Sequence, residues 1–294
     1  MRETVPISVG IPTWARGKRV LGTLERIFAC DPLPAEIVVH VDASDGNLEQ
    51  VLRDRFPSVQ VLTSRRRVGP GGGRHRCVMA ASQPYFVSFD DDSWPTDPDF
   101  FGEVVRLFKD EPATAILAAM IHHPGEAEPV RTEANAEVVE YTGCGYALRR
   151  CAYLEVPGHI DNPIPYGFEE IDLVIQLLAA GWKVRRAPGL RVYHETQLQH
   201  HVRAEIVAGT IHNAALIAWL RYPPRYFVRG VLQVTSVFVD QVRRRRWRGL
   251  GWGAIGLPFA LWRHRQARAP VASEVLAGYF PRRHRPMPRR PVHL

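Results

Sequence analysis

Short apolar runs alternate with helical patterns through the first part of the chain. Residues 7–11 and 37–41 are almost wholly apolar and read as strands. Between them, Val20, Leu24, Ile27 and Phe28 recur at helical spacing and predict an amphipathic helix over residues 19–30. A turn-forming Asp42-Ala43-Ser44-Asp45-Gly46 ends the second strand. A short helix over residues 48–56 and a third strand over 59–62 follow. A glycine-rich turn then opens a helix running to Ala81, and residues 85–89 form a fourth strand. Asp97 and Pro98 carry the signals of another helix start, Asp97 as cap and Pro98 at the first position. Such alternation predicts an α/β fold with a mainly parallel sheet flanked by helices. Ligands of such sheets lie beyond the carboxyl ends of the strands, here Pro12-Thr13, Asp42, residues 65–69 and residues 90–92.

The pattern changes near His200. Residues 205–220 are apolar at helical spacing and stop at Pro223-Pro224; residues 230–242 are a second such stretch, ended by four consecutive arginines. Residues 252–262 are a third, with Pro258 inside it. These segments are short for a bilayer span but suit helices lying on one. Three units are expected: residues 1–202, a helical basic extension over 203–279, and a flexible Pro/Arg-rich tail over 280–294.

Charge sharpens this division. The net charge of +8 is split unevenly, with 17 arginines against Glu205, Asp240 and Glu274 after residue 202. An acidic body suits metal and catalysis, and a basic extension suits an anionic surface. The chain has 294 residues and 46% hydrophobic content, enough for a packed core. Cys30, Cys77, Cys144 and Cys151 include no C-x-x-C pair, so buried reduced thiols are expected. With no signal-peptide core at the N-terminus, the expected location is cytoplasmic, with peripheral attachment to the inner face of the membrane.

Four constellations carry candidate chemistry. Asp90, Asp91 and Asp92 follow an apolar strand, where adjacent carboxylates are costly without a cation; Mg²⁺ or Mn²⁺ would suit them. The Arg- and Gly-rich segment over residues 65–76 has the composition to approach phosphate through backbone N–H groups. It lacks the lysine and hydroxyl spacing of a P-loop. Glu169, Glu170 and Asp172 stand at a helix start, and any one of them is a candidate general base. His194, after a strand-like segment, is a candidate metal ligand or diphosphate contact.

In order and spacing these segments resemble glycosyltransferase family 2, whose fold is of the GT-A type. The resemblance rests on Ile11-Pro12-Thr13, Val41-Asp42-Ala43-Ser44-Asp45, Gly69 with Gly73-Arg74-His75, Asp90 and Asp92, Thr142-Gly143-Cys144-Gly145, Glu169-Glu170-Ile171-Asp172, and His194. It covers roughly residues 5–200. The asparagines usual in the third element are Arg67 and His75 here, and the acidic pair reads Glu169-Glu170.

The resemblance implies a nucleotide-sugar donor carrying uracil or thymine (UDP or dTDP), held by Pro12, Thr13, Asp42, Arg74, Asp90 and Asp91. It implies Asp92 and His194 as ligands of Mg²⁺ or Mn²⁺, and Glu170 as the base. The acceptor would be a glycan, a lipid-linked molecule or a small glycoconjugate, whose hydroxyl attacks the anomeric carbon of the donor in a single displacement with inversion. A polyprenyl-phosphate sugar transferase is an alternative within the family. A sugar-1-phosphate nucleotidyltransferase would need an early glycine-rich loop with a lysine, which is missing. A nucleic-acid binder would leave the acidic residues unexplained, so no nucleic-acid partner is expected.

Overall fold

The computed structural model describes residues 2–14, 17–44, 46–132, 136–162, 164, 168–195 and 203–283. Asp45, Tyr166, Gly167, Ala15, Arg16, His200, His201 and residues 284–294 of the expected tail lie outside them.

The chain runs β1 (Thr4–Thr13), α1 (Gly17–Ile27), β2 (Leu33–Val41), α2 (Asn47–Arg55), β3 (Gln60–Thr63), α3 (Gly69–Ala80), β4 (Tyr85–Phe89), β5 (Ser93–Pro95), α4 (Phe100–Asp110), β6 (Thr114–His122), β7 (Ala136–Val138), β8 (Gly145–Arg149), α5 (Arg150–Leu154), α6 (Glu169–Ala179) and β9 (Lys183–His194). It continues through α7 (Ala204–Arg221), α8 (Phe227–Arg243), α9 (Leu250–Ile255), α10 (Leu257–Arg263) and α11 (Ser273–Arg283). The strands form one sheet in the order β3-β2-β1-β4-β8-β6-β9-β5, with β7 on β9. Strands β3, β2, β1 and β4 are parallel, as apolar runs buried on both faces require. Strand β8 is antiparallel to both β4 and β6, and β6–β9 is parallel again.

Two apolar cores lie in this sandwich. One holds Ile7, Val9, Ile11, Phe89, Phe100 and Phe101. The other joins Phe86, Tyr146 and Leu173 to Leu216, Leu220, Tyr222, Leu276, Tyr279 and Phe280 from beyond residue 202. The basic extension thus shares a core with the first 202 residues.

The structure corrects several local expectations. The glycine run is not a turn before a helix: α3 starts at Gly69 and contains Gly71, Gly72 and Gly73. A Cβ at Gly71 would come within 2.5 Å of the Glu169 carboxylate, so the small residue lets α3 approach α6. Asp97 does not cap α4, whose N-cap is Asp99; Asp97 is buried and takes Arg191 of β9. Pro258 splits the third apolar stretch into α9 and α10 and sits in the first turn of the latter, where its missing N–H is tolerated. The tail does not begin at residue 280, because α11 runs to Arg283 with Tyr279 and Phe280 buried. Cys151 is exposed, whereas the other three cysteines are buried.

Candidate active site

The carboxyl ends of β1, β2 and β4 lie side by side, and the polar residues that follow them are knitted together. The Asp42 N–H donates to the Thr13 carbonyl at 2.8 Å. Thr13 Oγ1 donates to Asp91 Oδ2 at 2.7 Å, and Thr23 Oγ1 of α1 donates to the Asp91 carbonyl at 2.9 Å. Pro12 sits at the β1 end, paired with His40 of β2. Asp91 therefore turns inward and fixes the acidic turn to β1 and α1, while its two neighbours point elsewhere.

Asp42 caps α3. Its carboxylate accepts the Ser64 hydroxyl at 2.8 Å, the Val68 N–H at 2.9 Å and the Gly69 N–H at 2.9 Å. Two N–H groups at the entrance of α3 are thus taken by a carboxylate rather than left for phosphate. A carboxylate has about four acceptor positions, so three donors leave room for one more. Beside it, the Arg67 guanidinium stacks over exposed Trp14 at 3.8 Å from the ring centre.

Asp90, Asp92 and His194 converge. Pairing of β5 with β9 sets Ser93 opposite His194 and brings the imidazole to the acidic turn. His194 Nε2 lies 3.2 Å from Asp92 Oδ1 and 3.9 Å from Asp90 Oδ2. Cys144, held by a 2.7 Å bond from Ser93 Oγ to its carbonyl, presents its sulfur within 4.8 Å of ligand atoms of Asp90 and His194. Arg19 of α1 donates to Asp92 Oδ2 at 2.6 Å. Two carboxylates and an imidazole fit a hard divalent cation such as Mg²⁺ or Mn²⁺; the thiol, a soft donor, suits it poorly.

Arg74 joins this cluster to α6. It is buried, and its guanidinium donates to Asp90 and to Glu169, with Nε on Ser88 Oγ at 3.1 Å. Burial opposes its charge, but Glu169 and Asp90 outweigh it and hold its pKa well above the ordinary arginine value. Burial also pushes the Glu169 carboxyl up, against the pull of Arg74. Half-buried Glu170 is raised by burial too, with Asp90 adding repulsion and the Gly143 N–H acting the other way. A Cβ at Gly143 would lie 3.0 Å from Glu170 Oε1 and 3.2 Å from Arg74 Nη2, so this glycine admits both groups side by side. Asp172, the third candidate base, faces away from this cluster: it is buried in an ion pair with Arg221 of α7.

Of the residues picked from the sequence, Asp90, Asp92, His194, Arg74 and Glu170 are brought together, with Thr13 and Asp91 beneath them and Asp42 on the β2 side. Arg19, Ser88 and the Arg67–Trp14 pair were not anticipated. Arg19 lies on a helix face where arginine is ordinary, and nothing local marks it.

A doubly covered sheet with an acidic turn after β4, a late histidine beside it and a carboxylate pair at a helix start defines an α/β enzyme of the GT-A type. Residues 8–163 match the glycosyl transferase family 2 model, and the chain belongs to that family of glycosyltransferases. No curated protein sequence matches it. Among solved structures, GalNAc-T7 with UDP, GalNAc and Mn²⁺ superposes with a TM-score of 0.60 at 13% identity, over 90% of this chain and 58% of that one. The chain thus spans little more than half of that relative's length. The mannosyltransferase PcManGT from Pyrobaculum calidifontis, in complex with GDP-Man and Mn²⁺, gives 0.55 at 13% identity, over 96% and 84%. S. aureus TarS 1-349 in complex with UDP-GlcNAc gives 0.58 at 14% identity, over 92% and 83%. At these identities the likeness establishes the fold alone.

Proposed function

We propose that this chain transfers a sugar from a UDP- or dTDP-sugar to an acceptor hydroxyl, with inversion, using a divalent cation. The observation that carries this reading is the meeting of Asp90, Asp92 and His194 on one side of Arg74 with Glu169 and Glu170 on the other. Asp92 and His194, with Asp90 beside them, would hold Mg²⁺ or Mn²⁺; Mn²⁺ accompanies two of the structural relatives. Bound there, the cation supplies charge neutralisation for the departing diphosphate.

The chain's own residues do the rest. Asp42 has an acceptor position left for the imide N–H of uracil or thymine, and Pro12 and Thr13 line the adjoining strand end. Arg74 keeps two N–H donors beyond its three bonds and places a fixed positive charge where negative charge grows on the leaving group. Glu170 takes the proton of the acceptor hydroxyl as that oxygen bonds to the anomeric carbon. The bond from that carbon to the diphosphate oxygen breaks, and nucleoside diphosphate leaves with the electron pair. Burial raises the Glu170 pKa, which makes its ionised carboxylate a stronger proton acceptor than an exposed glutamate. The acceptor belongs to the glycan or lipid-linked class.

Product analysis tests this reading. Release of nucleoside diphosphate, one per sugar transferred and dependent on divalent cation, is expected. Release of pyrophosphate would overturn it in favour of nucleotidyl transfer.

A further inference from the structure

The α7–α10 region presents a surface that the catalytic reading does not use. Helices α8, α9 and α10 all pack against α7. The inward positions of α8 and α9 include Val234, Val237, Phe238 and Leu250, against Val207 and Ile211 of α7. Their outward positions are also apolar: Phe227, Val228, Val231 and Leu232 on α8, Trp252 and Ile255 on α9, and Phe259 and Trp262 on α10 are exposed. Trp252 is 81% and Ile255 84% exposed. A soluble surface rarely carries so many large apolar side chains within one stretch of chain. Between residues 225 and 268 there are ten arginines and a single acidic residue, Asp240. Aromatic and aliphatic side chains interleaved with arginines are the composition of helices that lie in a bilayer interface. Among the described residues no helix is long and apolar enough to cross a membrane.

A groove opens within this region. Its volume is about 640 Å³, and Ile164, Ala208, Leu216, Trp252, Phe259 and Ala260 make it largely apolar. That size falls in the range of about 300–1,000 Å³ usual for small-molecule sites. Arg263 and Glu205 both lie on its wall, Glu205 with its charge met by Arg203 at 3.6 Å, and the buried His212 Nε2 there has no hydrogen-bond partner among the described residues. An apolar trough with a cation on its wall matches a hydrocarbon chain attached to an anionic group.

We infer that this groove binds the hydrocarbon chain of an anionic bilayer lipid, and that the outward faces of α8, α9 and α10 rest on the bilayer that supplies it. The link to catalysis rests on the proposed transferase activity: Asn162 and Ile164, which line the groove, lie on the segment leading to Glu169 and Glu170. A lipid held there is a candidate for the acceptor or for the anchor beside it.

Two measurements on the full chain test this without donor or cation, so their failure is distinct from failure of the transferase reading. In flotation, the protein should rise with vesicles of phosphatidylcholine containing phosphatidylglycerol and stay behind with phosphatidylcholine alone. Arg243→Gln with Arg248→Gln should weaken that binding by about tenfold or more. In calorimetry, monomeric dihexanoyl phosphatidylglycerol should bind saturably at one site. Ala260→Phe fills the groove and should abolish this signal while flotation persists; Arg263→Gln, at an exposed position, should weaken it by about fivefold or more. Circular dichroism checks that each variant is folded. Equal flotation with both vesicle types, or no saturable lipid binding, would overturn the inference. So would lipid binding unchanged in both Ala260→Phe and Arg263→Gln.

Discussion

Asp172 and Arg221 form an ion pair at 2.5 and 3.0 Å with neither side chain reached by solvent. The pair ties the helix that begins with Glu169 and Glu170 to the first helix of the basic extension. Burial pushes the Asp172 carboxyl up, while Arg221 and Gln176 stabilise its ionised form. Removing one partner of such a pair leaves a buried charge uncompensated. Asp172→Asn is therefore expected to destabilise the fold by about 3–5 kcal/mol in urea denaturation. Asp172→Leu with Arg221→Met should lose less than either single change, and a double-mutant cycle measures the difference. A loss of turnover in Asp172→Asn should follow the loss of folded protein, because Asp172 lies outside the Arg74 cluster.

Asp92 should be needed for cation-dependent turnover. It meets His194 and Arg19, and Asp92→Asn keeps the shape while removing one charge from the cation set. Turnover is expected to fall by about two orders of magnitude or more. Excess chelator should abolish wild-type transfer, with Mg²⁺ or Mn²⁺ restoring it. Full activity in chelator would sink the assignment of Asp92 and His194 to a cation.

Glu170 should set the acid limb of the rate profile. A base must be ionised, and burial raises the Glu170 pKa above its ordinary value of 4.5. The rate, read as kcat/KM, should fall as pH drops through that raised pKa, so the limb lies higher than an exposed glutamate would put it. Glu170→Gln should keep donor binding and lose transfer by about 10²–10⁴-fold. If Glu170→Gln turns over normally and Glu169→Gln does not, the base is the neighbouring carboxylate.

The parts of this molecule that were legible in the sequence are those written locally. An apolar run followed by three aspartates marks β4 and its turn, because burial and carboxylate repulsion both act within a few residues. The helix start at Glu169 and the strand ending at His194 are similarly local. Antiparallel β8 between β4 and β6 is not local, since its place depends on register with strands far away in sequence. That placement delivers Cys144 and Gly143 to the site; the resemblance points to their segment, but their partners Asp90, His194, Arg74 and Glu170 are set by the register. Arg19 with Asp92 and Arg221 with Asp172 are long-range pairs of the same kind. The glycine run reads as a turn in the sequence because a turn and the close approach of a helix to its neighbour demand the same small residue. The Pro- and Arg-rich composition from residue 280 onward reads as a flexible tail, yet burial of Tyr279 and Phe280 holds α11 as far as Arg283.

The donor prediction turns on Asp42, which has two tasks to perform at once. Its carboxylate caps α3 through Val68 and Gly69, and its remaining acceptor position is the one proposed to read the imide N–H of uracil or thymine. Val68 and Gly69 donate chiefly to different oxygens of Asp42, so Asp42→Asn keeps one cap bond and turns an amide donor toward the other N–H. The cap should therefore weaken by about 1–2 kcal/mol, measured by thermal denaturation. The base contact should suffer too, because an acceptor position is lost wherever the amide nitrogen points. Wild-type protein titrated calorimetrically with a panel of nucleoside diphosphates is expected to bind UDP and dTDP more tightly than GDP. Asp42→Asn should flatten that preference, since loss of a base-reading bond is worth about 1–3 kcal/mol. Tighter binding of GDP than of UDP and dTDP in the wild type would refute the base-reading role. Unchanged preference in the variant would leave Asp42 as the cap of α3 alone.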